Sequence, residues 1–145
     1  MAFKSLYAAK ATVTGGRDGA GKTDDGKVDV AFDLPEGLGG QGGPGTNPEQ
    51  LFALGYAACF EGAIAGVARA ETLDATDVSI HSTVEIGKTS DGLGLQATLD
   101  VTLPRLDDDT AAQLVGKAHQ VCPYSKATRG NIEVTLIANG KTLVG

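Results

Sequence analysis

At 145 residues the chain is long enough to bury a core without disulfide or metal staples, and 41% hydrophobic residues with interspersed charges exclude a disordered or fibrous class. Its net charge of −6, with no cluster of Lys or Arg set against it, argues against nucleic acid and anionic membrane surfaces as partners. The opening "MAFKSLYAAKATVTGG" lacks a long apolar core and is not read as a signal peptide. The apolar helical segment from Leu51 to Phe60 is too short to span a bilayer. A cytoplasmic location is therefore expected. There, a pair of cysteines such as Cys59 and Cys122 suits a transient catalytic or sensing role better than a permanent disulfide.

With no internal repeat or linker, one domain over residues 1–145 is expected. Residues 5–14 and 27–34 read as strands, the second by alternation of Val28, Val30 and Phe32 with Asp29 and Asp33. Gly37, Gly39, Gly40, Gly42, Gly43 and Gly45 then make a loop that is neither helix nor strand. A helix over about 48–70 follows, with Asn47 as N-cap, Pro48 at the first helical position and Gln50 placed for a capping box. One of its faces is small: Gly55, Ala58, Gly62, Ala65 and Gly66, a surface on which a second helix can pack closely. Residues 77–87 and 93–103 flank "KTSDGLG" as a long hairpin. A second helix over about 107–121 has aspartates in its first turn and Pro123 at its end, and "NIEVTLIA" is the last strand. The order ββ-α-ββ-α-β is an α+β pattern, with antiparallel sheets, a long central helix and a second helix.

The thiolate is the reactive form of cysteine, so the question is what lowers each pKa. Cys59 lies too far along its helix to feel the helix dipole, and Phe52, Tyr56, Phe60 and Ala63 desolvate it, so an activated Cys59 must borrow a cation. Cys122 lies at the C-terminal end of its helix, where the dipole disfavours a negative charge. Spacing and composition leave two readings open: a working pair, or two inert buried cysteines.

Two segments, "TNPEQLFALGYAACF" (46–60) and "AHQVCPYSKATRGNI" (118–132), together with "TVTGGRDG" (12–19), resemble the organic hydroperoxide resistance (Ohr) branch of the OsmC/Ohr family. The resemblance runs through the whole chain; Lys126 departs from it, at a position where asparagine is expected. It implies a thiol peroxidase that reduces organic hydroperoxides, with Cys59 as the peroxidatic and Cys122 as the resolving cysteine. By the same resemblance Arg17 and Glu49 form a polar pair beside the reactive sulfur: the guanidinium favours the thiolate and the departing alkoxide, and the carboxylate holds the guanidinium. It implies no cofactor and no metal, an intertwined homodimer, and reduction by dihydrolipoyl groups regenerated by lipoamide dehydrogenase.

On a straight helix Glu49 and Cys59 lie about 15 Å apart along the axis. An antiparallel partner helix on the small-residue face would bring Glu49 of one copy towards Cys59 of the other.

Other readings compete. "GLGGQG" and "GGQGGPG" contain G-x-G-x-x-G, but no parallel βαβ unit follows, so a mobile lid or substrate-side loop is preferred to a dinucleotide site. His119 and Cys122 are spaced to bind zinc together with Cys59, against a plain hydrogen-bonded helix histidine. His81 is read as a surface or core-edge residue and Tyr124 and Ser125 as shaping the turn after Cys122, while for Arg129 a pairing with a surface carboxylate and a functional role both stay open. A sister OsmC-type peroxidase with a different peroxide preference, or a redox-sensing module that does not turn over, are the alternatives in function.

Overall fold

The computed structural model describes residues 2–143. Its chain falls into two compact units, Met1–Leu51 and Phe52–Gly145.

The first unit is a three-stranded antiparallel meander, β1 (Ala11–Thr14), β2 (Ala20–Thr23) and β3 (Asp29–Ala31) in spatial order. The sequence predicts the first and third of these at greater length. Residues 5–10 join no ladder, and Phe3, Leu6 and Tyr7 stand open to solvent, 95%, 92% and 79% exposed. β2 is absent from the sequence reading because "AGKT" sits among glycines and aspartates and looks like turn. Its neighbours make it a strand: Gly21 pairs with Val13 on one side and Val30 on the other. Gly21 also lets the buried Phe32 ring approach, for a Cβ there would meet that ring at 2.9 Å.

The glycine loop is pinned rather than free. Thr46 N–H donates to Ala31 O (2.9 Å), Asp33 N–H to Thr46 O (3.0 Å) and Gly40 N–H to Pro35 O (3.0 Å). A Cβ on Gly40 would lie 2.0 Å from Leu34 O, and one on Gly45 would lie 2.6 Å from the Asp33 carboxylate. Gly40 and Gly45 thus admit the chain's own backbone and Asp33, and β3 pairs antiparallel with β2, which leaves no Rossmann unit.

Helix α1 (Pro48–Glu71) runs from the first unit into the second. Asn47 caps it, accepting from Gln50 N–H at 2.8 Å, but the Gln50 side chain turns to Thr46 Oγ1 (2.6 Å) instead of closing a capping box. Contrary to the short segment expected, these 24 residues are long and apolar enough to cross a membrane. In the second unit Tyr56, Phe60, Ile64 and Ala68 form its buried stripe, one residue every fourth position.

That stripe belongs to the same core as Leu99, Val101, Leu103, Leu114, Val115 and Ala118. The sheet runs β4 (Ser79–Thr89), β5 (Gly92–Thr102), β6 (Glu133–Ala138), β7 (Lys141–Thr142). β4 and β5 form the expected hairpin. β5 and β6 pair parallel, not antiparallel as expected, because α2 (Asp108–Val121) and α3 (Pro123–Thr128) carry the chain back across the sheet. Asp107 caps α2, accepting from Thr110 N–H at 2.8 Å. Pro123 ends α2 as predicted, and it also opens α3, which the sequence reading lacks: proline at a first helical position serves both purposes.

Candidate active site

In the first unit, Arg17 rides on a one-turn 3-10 helix, Gly16–Asp18, entered through two left-handed glycines, Gly15 (φ 79°) and Gly16 (φ 59°). The turn closes on itself so tightly that a Cβ on Gly19 would lie 1.7 Å from Thr14 O. Asp18 Oδ1 accepts from Leu34 N–H (3.1 Å) and ties the turn to the end of β3. From this platform the guanidinium makes a two-pronged bond to Glu49: Nη1 donates to Oε2 at 2.8 Å and Nη2 to Oε1 at 2.7 Å. Glu49 stands in the first turn of α1, where the helix dipole also favours its charge. The Arg17 hydrogen bonds hold its carboxyl below the usual range, and the Glu49 bond in turn raises the guanidinium. Both groups are therefore charged at neutral pH.

In the second unit, Cys59 Sγ and Cys122 Sγ are 3.6 Å apart, with both thiols free. The sulfurs are in hydrogen-bond contact, not bonded. Cys122 is fully buried and occupies the corner between two helices: its N–H donates to Ala118 O (2.8 Å) at the end of α2, and its carbonyl accepts from Lys126 N–H (3.0 Å) in α3. It thus closes one helix and opens another, rather than simply ending one. Burial pushes the half-buried Cys59 thiol above its ordinary value; the backbone N–H of Tyr124 works the other way and Cys122 adds to the rise. Within this unit alone Cys59 is a poor thiolate.

Behind the sulfurs lies a buried polar cluster that the sequence reading missed. Tyr56 Oη lies 2.8 Å from Ser125 Oγ and 3.1 Å from Thr128 Oγ1, and Ser125 Oγ lies 2.8 Å from His119 Nδ1. Tyr56 packs face to face with Phe52 (ring centroids 5.8 Å) and against Phe60 and Tyr124. The available signal was spacing: Tyr56 is three residues before Cys59, and His119 and Ser125 flank Cys122 by three on either side.

Cys59 opens onto a groove of about 800 Å³ along α1, lined by Gly62, Ala63, Gly66, Val67, Val121 and others. Of the small-residue face, Gly55 lies under Tyr124, whose Oη would be 3.4 Å from an added Cβ. Gly62 and Gly66 have nothing within 4 Å of theirs. The Leu54 side of α1 is likewise uncovered, at 71% exposed.

The family model for OsmC-like proteins matches residues 39–137. The chain belongs to the OsmC-like family. The organic hydroperoxide resistance protein of Xanthomonas axonopodis pv. citri is 53% identical to it over 134 residues, 92% of this chain and 94% of that protein. Among solved structures, an organic hydroperoxide resistance protein from Legionella pneumophila superposes with a TM-score of 0.88 at 46% identity, covering 92% of this chain and 98% of that one. OhrB of Bacillus subtilis superposes with a TM-score of 0.84 at 44% identity over 92% and 98% of the two chains. The α+β architecture is therefore the OsmC/Ohr fold.

In this OsmC-like chain no three His, Cys, Asp or Glu side chains group as a metal site among the described residues, and His119, offered above as a zinc ligand, instead bonds Ser125. Burial, then the charge of Arg129, lowers the His119 pKa, so its imidazole is neutral at neutral pH. Arg129 donates from Nη1 to His119 O (2.7 Å), a backbone carbonyl. Lys126 is exposed to solvent. His81 lies on the exposed face of β4.

Proposed function

We propose that this chain is a thiol peroxidase that reduces organic hydroperoxides to alcohols. The observation that carries the reading is the pair of free sulfurs 3.6 Å apart, one half-buried beside an apolar groove and the other fully buried. The Cys59 thiolate attacks one peroxide oxygen; the O–O bond breaks, Cys59 becomes a sulfenic acid, and the alkoxide takes a proton and leaves as alcohol. Cys122 then attacks the Cys59 sulfur, the S–O bond breaks, and the thiol proton departs with the hydroxyl as water. A dithiol of the dihydrolipoyl type, regenerated by lipoamide dehydrogenase, reduces the disulfide by exchange and is itself oxidised to its cyclic disulfide. The groove's apolar lining favours an organic substrate over hydrogen peroxide, and two free thiols suit the reducing cytoplasm.

Because Cys59 is a poor thiolate by its own surroundings, the reading gives Arg17 the task of favouring the anion and the departing alkoxide, with Glu49 holding the guanidinium. A homodimer completes the scheme, its partner helix lying antiparallel along α1. Three features support a second copy: the uncovered Gly62 and Gly66, the apolar outer face of α1, and the unpaired arm bearing Phe3, Leu6 and Tyr7.

The test is a steady-state assay with lipoamide, lipoamide dehydrogenase and NADH, comparing tert-butyl and cumene hydroperoxides with hydrogen peroxide. Sustained turnover with the organic peroxides is expected. Disulfide formation without turnover makes the chain a sensor instead, and a preference for hydrogen peroxide makes it an OsmC-type enzyme. A fully active monomer by light scattering rules out the shared site.

A further inference from the structure

We propose that Tyr56 and Ser125 are positioning residues for disulfide closure, bolting the corner that carries Cys122 to the helix that carries Cys59. The proposal rests on reading the thiols as a peroxidatic and resolving pair.

Each cysteine has members of one hydrogen-bonded network three residues away in the chain. Tyr56 precedes Cys59 on α1; His119 and Ser125 flank Cys122 on α2 and α3. Tyr56 and Ser125 are fully buried and Thr128 is 7% exposed. Two bonds link the three side chains: Tyr56 Oη to Ser125 Oγ (2.8 Å), and Ser125 Oγ to His119 Nδ1 (2.8 Å). Thr128 O–H donates to Ser125 O (3.2 Å), leaving its oxygen beside Tyr56 Oη at 3.1 Å. Arg129 adds two ties, from its N–H to Ser125 O (2.8 Å) and from its guanidinium to His119 O (2.7 Å).

Apolar packing alone permits a short helix to roll about its axis; directional bonds between buried hydroxyls do not, since each one broken leaves a buried polar group without its partner. α3 is only 6 residues long and buries Ser125 and Thr128. Its roll therefore sets where the Cys122 sulfur points. Closure must bring that sulfur from 3.6 Å to about 2.05 Å along the line of the breaking S–O bond, a step sensitive to small misplacements. In this step Cys122 Sγ bonds to Cys59 Sγ, the S–O bond of the sulfenic acid breaks, and the Cys122 proton leaves with the hydroxyl as water. Peroxide attack by Cys59 asks nothing of α3's roll.

The test separates the two steps. The full-length, pre-reduced chain is mixed with one equivalent of cumene hydroperoxide; peroxide loss reports the first step. Dimedone-trapped sulfenic acid and disappearing free thiol report the second. Tyr56→Phe keeps the ring stack and Ser125→Ala keeps the fold's volume, so each removes bonds without opening a large cavity. Both variants are expected to consume peroxide within about twofold of the native rate and to close about tenfold more slowly, with sulfenic acid accumulating. Thr128→Ser, which retains a hydroxyl, is expected to close at the native rate. Native closure rates in Tyr56→Phe and Ser125→Ala, or equal slowing of both steps, overturn the positioning role while leaving the two-thiol reading intact. A wild-type chain that forms no disulfide overturns both. Should Tyr56→Phe fail to fold, Ser125→Ala decides the matter by the same readouts.

Discussion

The sulfurs of Cys59 and Cys122 stand 3.6 Å apart although 63 positions separate them in the chain. Helix α1 brings one and the α2–α3 corner the other, and their asymmetry is built in, since only Cys59 reaches the groove. Serine in place of each should therefore fail differently. Cys59→Ser is expected to lose peroxide consumption altogether. Cys122→Ser should consume about one equivalent per chain and stall, with over-oxidised Cys59 appearing when peroxide is in excess. Single-turnover peroxide assays with intact-mass spectrometry distinguish the two; full activity in Cys59→Ser would reverse the assignment.

The pH dependence of Cys59 carries the argument about Arg17. Burial raises the thiol pKa, which lowers the thiolate fraction at neutral pH, and a nearby guanidinium acts in the opposite sense. Arg17→Ala should move the pH profile of Cys59 alkylation by iodoacetamide upward by about one unit or more. The measurement is best made in a Cys122→Ser background, so that one sulfur alone is read. A profile that does not move removes the activating role.

Glu49 gives a second pH signature. Its folded carboxyl is held below the ordinary 4.5 by Arg17, so folding is stabilised by the pair fully above about pH 4.5 and progressively less as pH falls through the lower, folded value. The difference in melting temperature between the native chain and Glu49→Gln should accordingly be largest near neutrality and shrink in acid. A difference that stays constant down to pH 3 would show that the ion pair contributes nothing to folding.

Most of the helices and the long hairpin were legible because their signals are local: Asn47 and Asp107 as caps, Pro123 as a stop, and Asp91-Gly92 at the turn. β2 was not, since "AGKT" becomes a strand only through partners on both flanks. The parallel β5–β6 pairing was hidden for the same reason: it depends on the return across the sheet, not on either strand's composition. The two thiols were visible as residues, and the Arg17–Glu49 pair through the resemblance. The hydroxyls behind them were not, because Tyr56, Ser125 and Thr128 are ordinary residue types until two helices bring them together.

The turn that carries Arg17 should tolerate almost no side chain at Gly19. An alanine Cβ there would fall 1.7 Å from Thr14 O, a backbone atom that cannot step aside without opening β1 and the turn together. Gly19→Ala is expected to lose peroxidase turnover and to shift the Cys59 alkylation profile in the same direction as Arg17→Ala, without touching any residue of the second unit. Gly16→Ala makes a useful companion: it meets no neighbour within 4 Å, but its φ of 59° strains any side chain, so a milder loss is expected. Native turnover in Gly19→Ala would mean that the turn's shape is irrelevant to the chemistry.

Gly62 tests the second copy most cleanly. No atom of the same chain lies within 4 Å of a Cβ placed there, so a Gly62→Leu side chain starts out in open space. It would, however, hold a neighbouring helix away from α1, since close packing of helix backbones depends on small residues at the contact. If two copies pack along this face, light scattering should find the native chain dimeric and Gly62→Leu monomeric, with circular dichroism still showing folded protein. Gly62 also lines the groove beside Cys59, so the oligomeric state rather than turnover is the deciding readout. A Gly62→Leu dimer as stable as the native one would place any interface elsewhere.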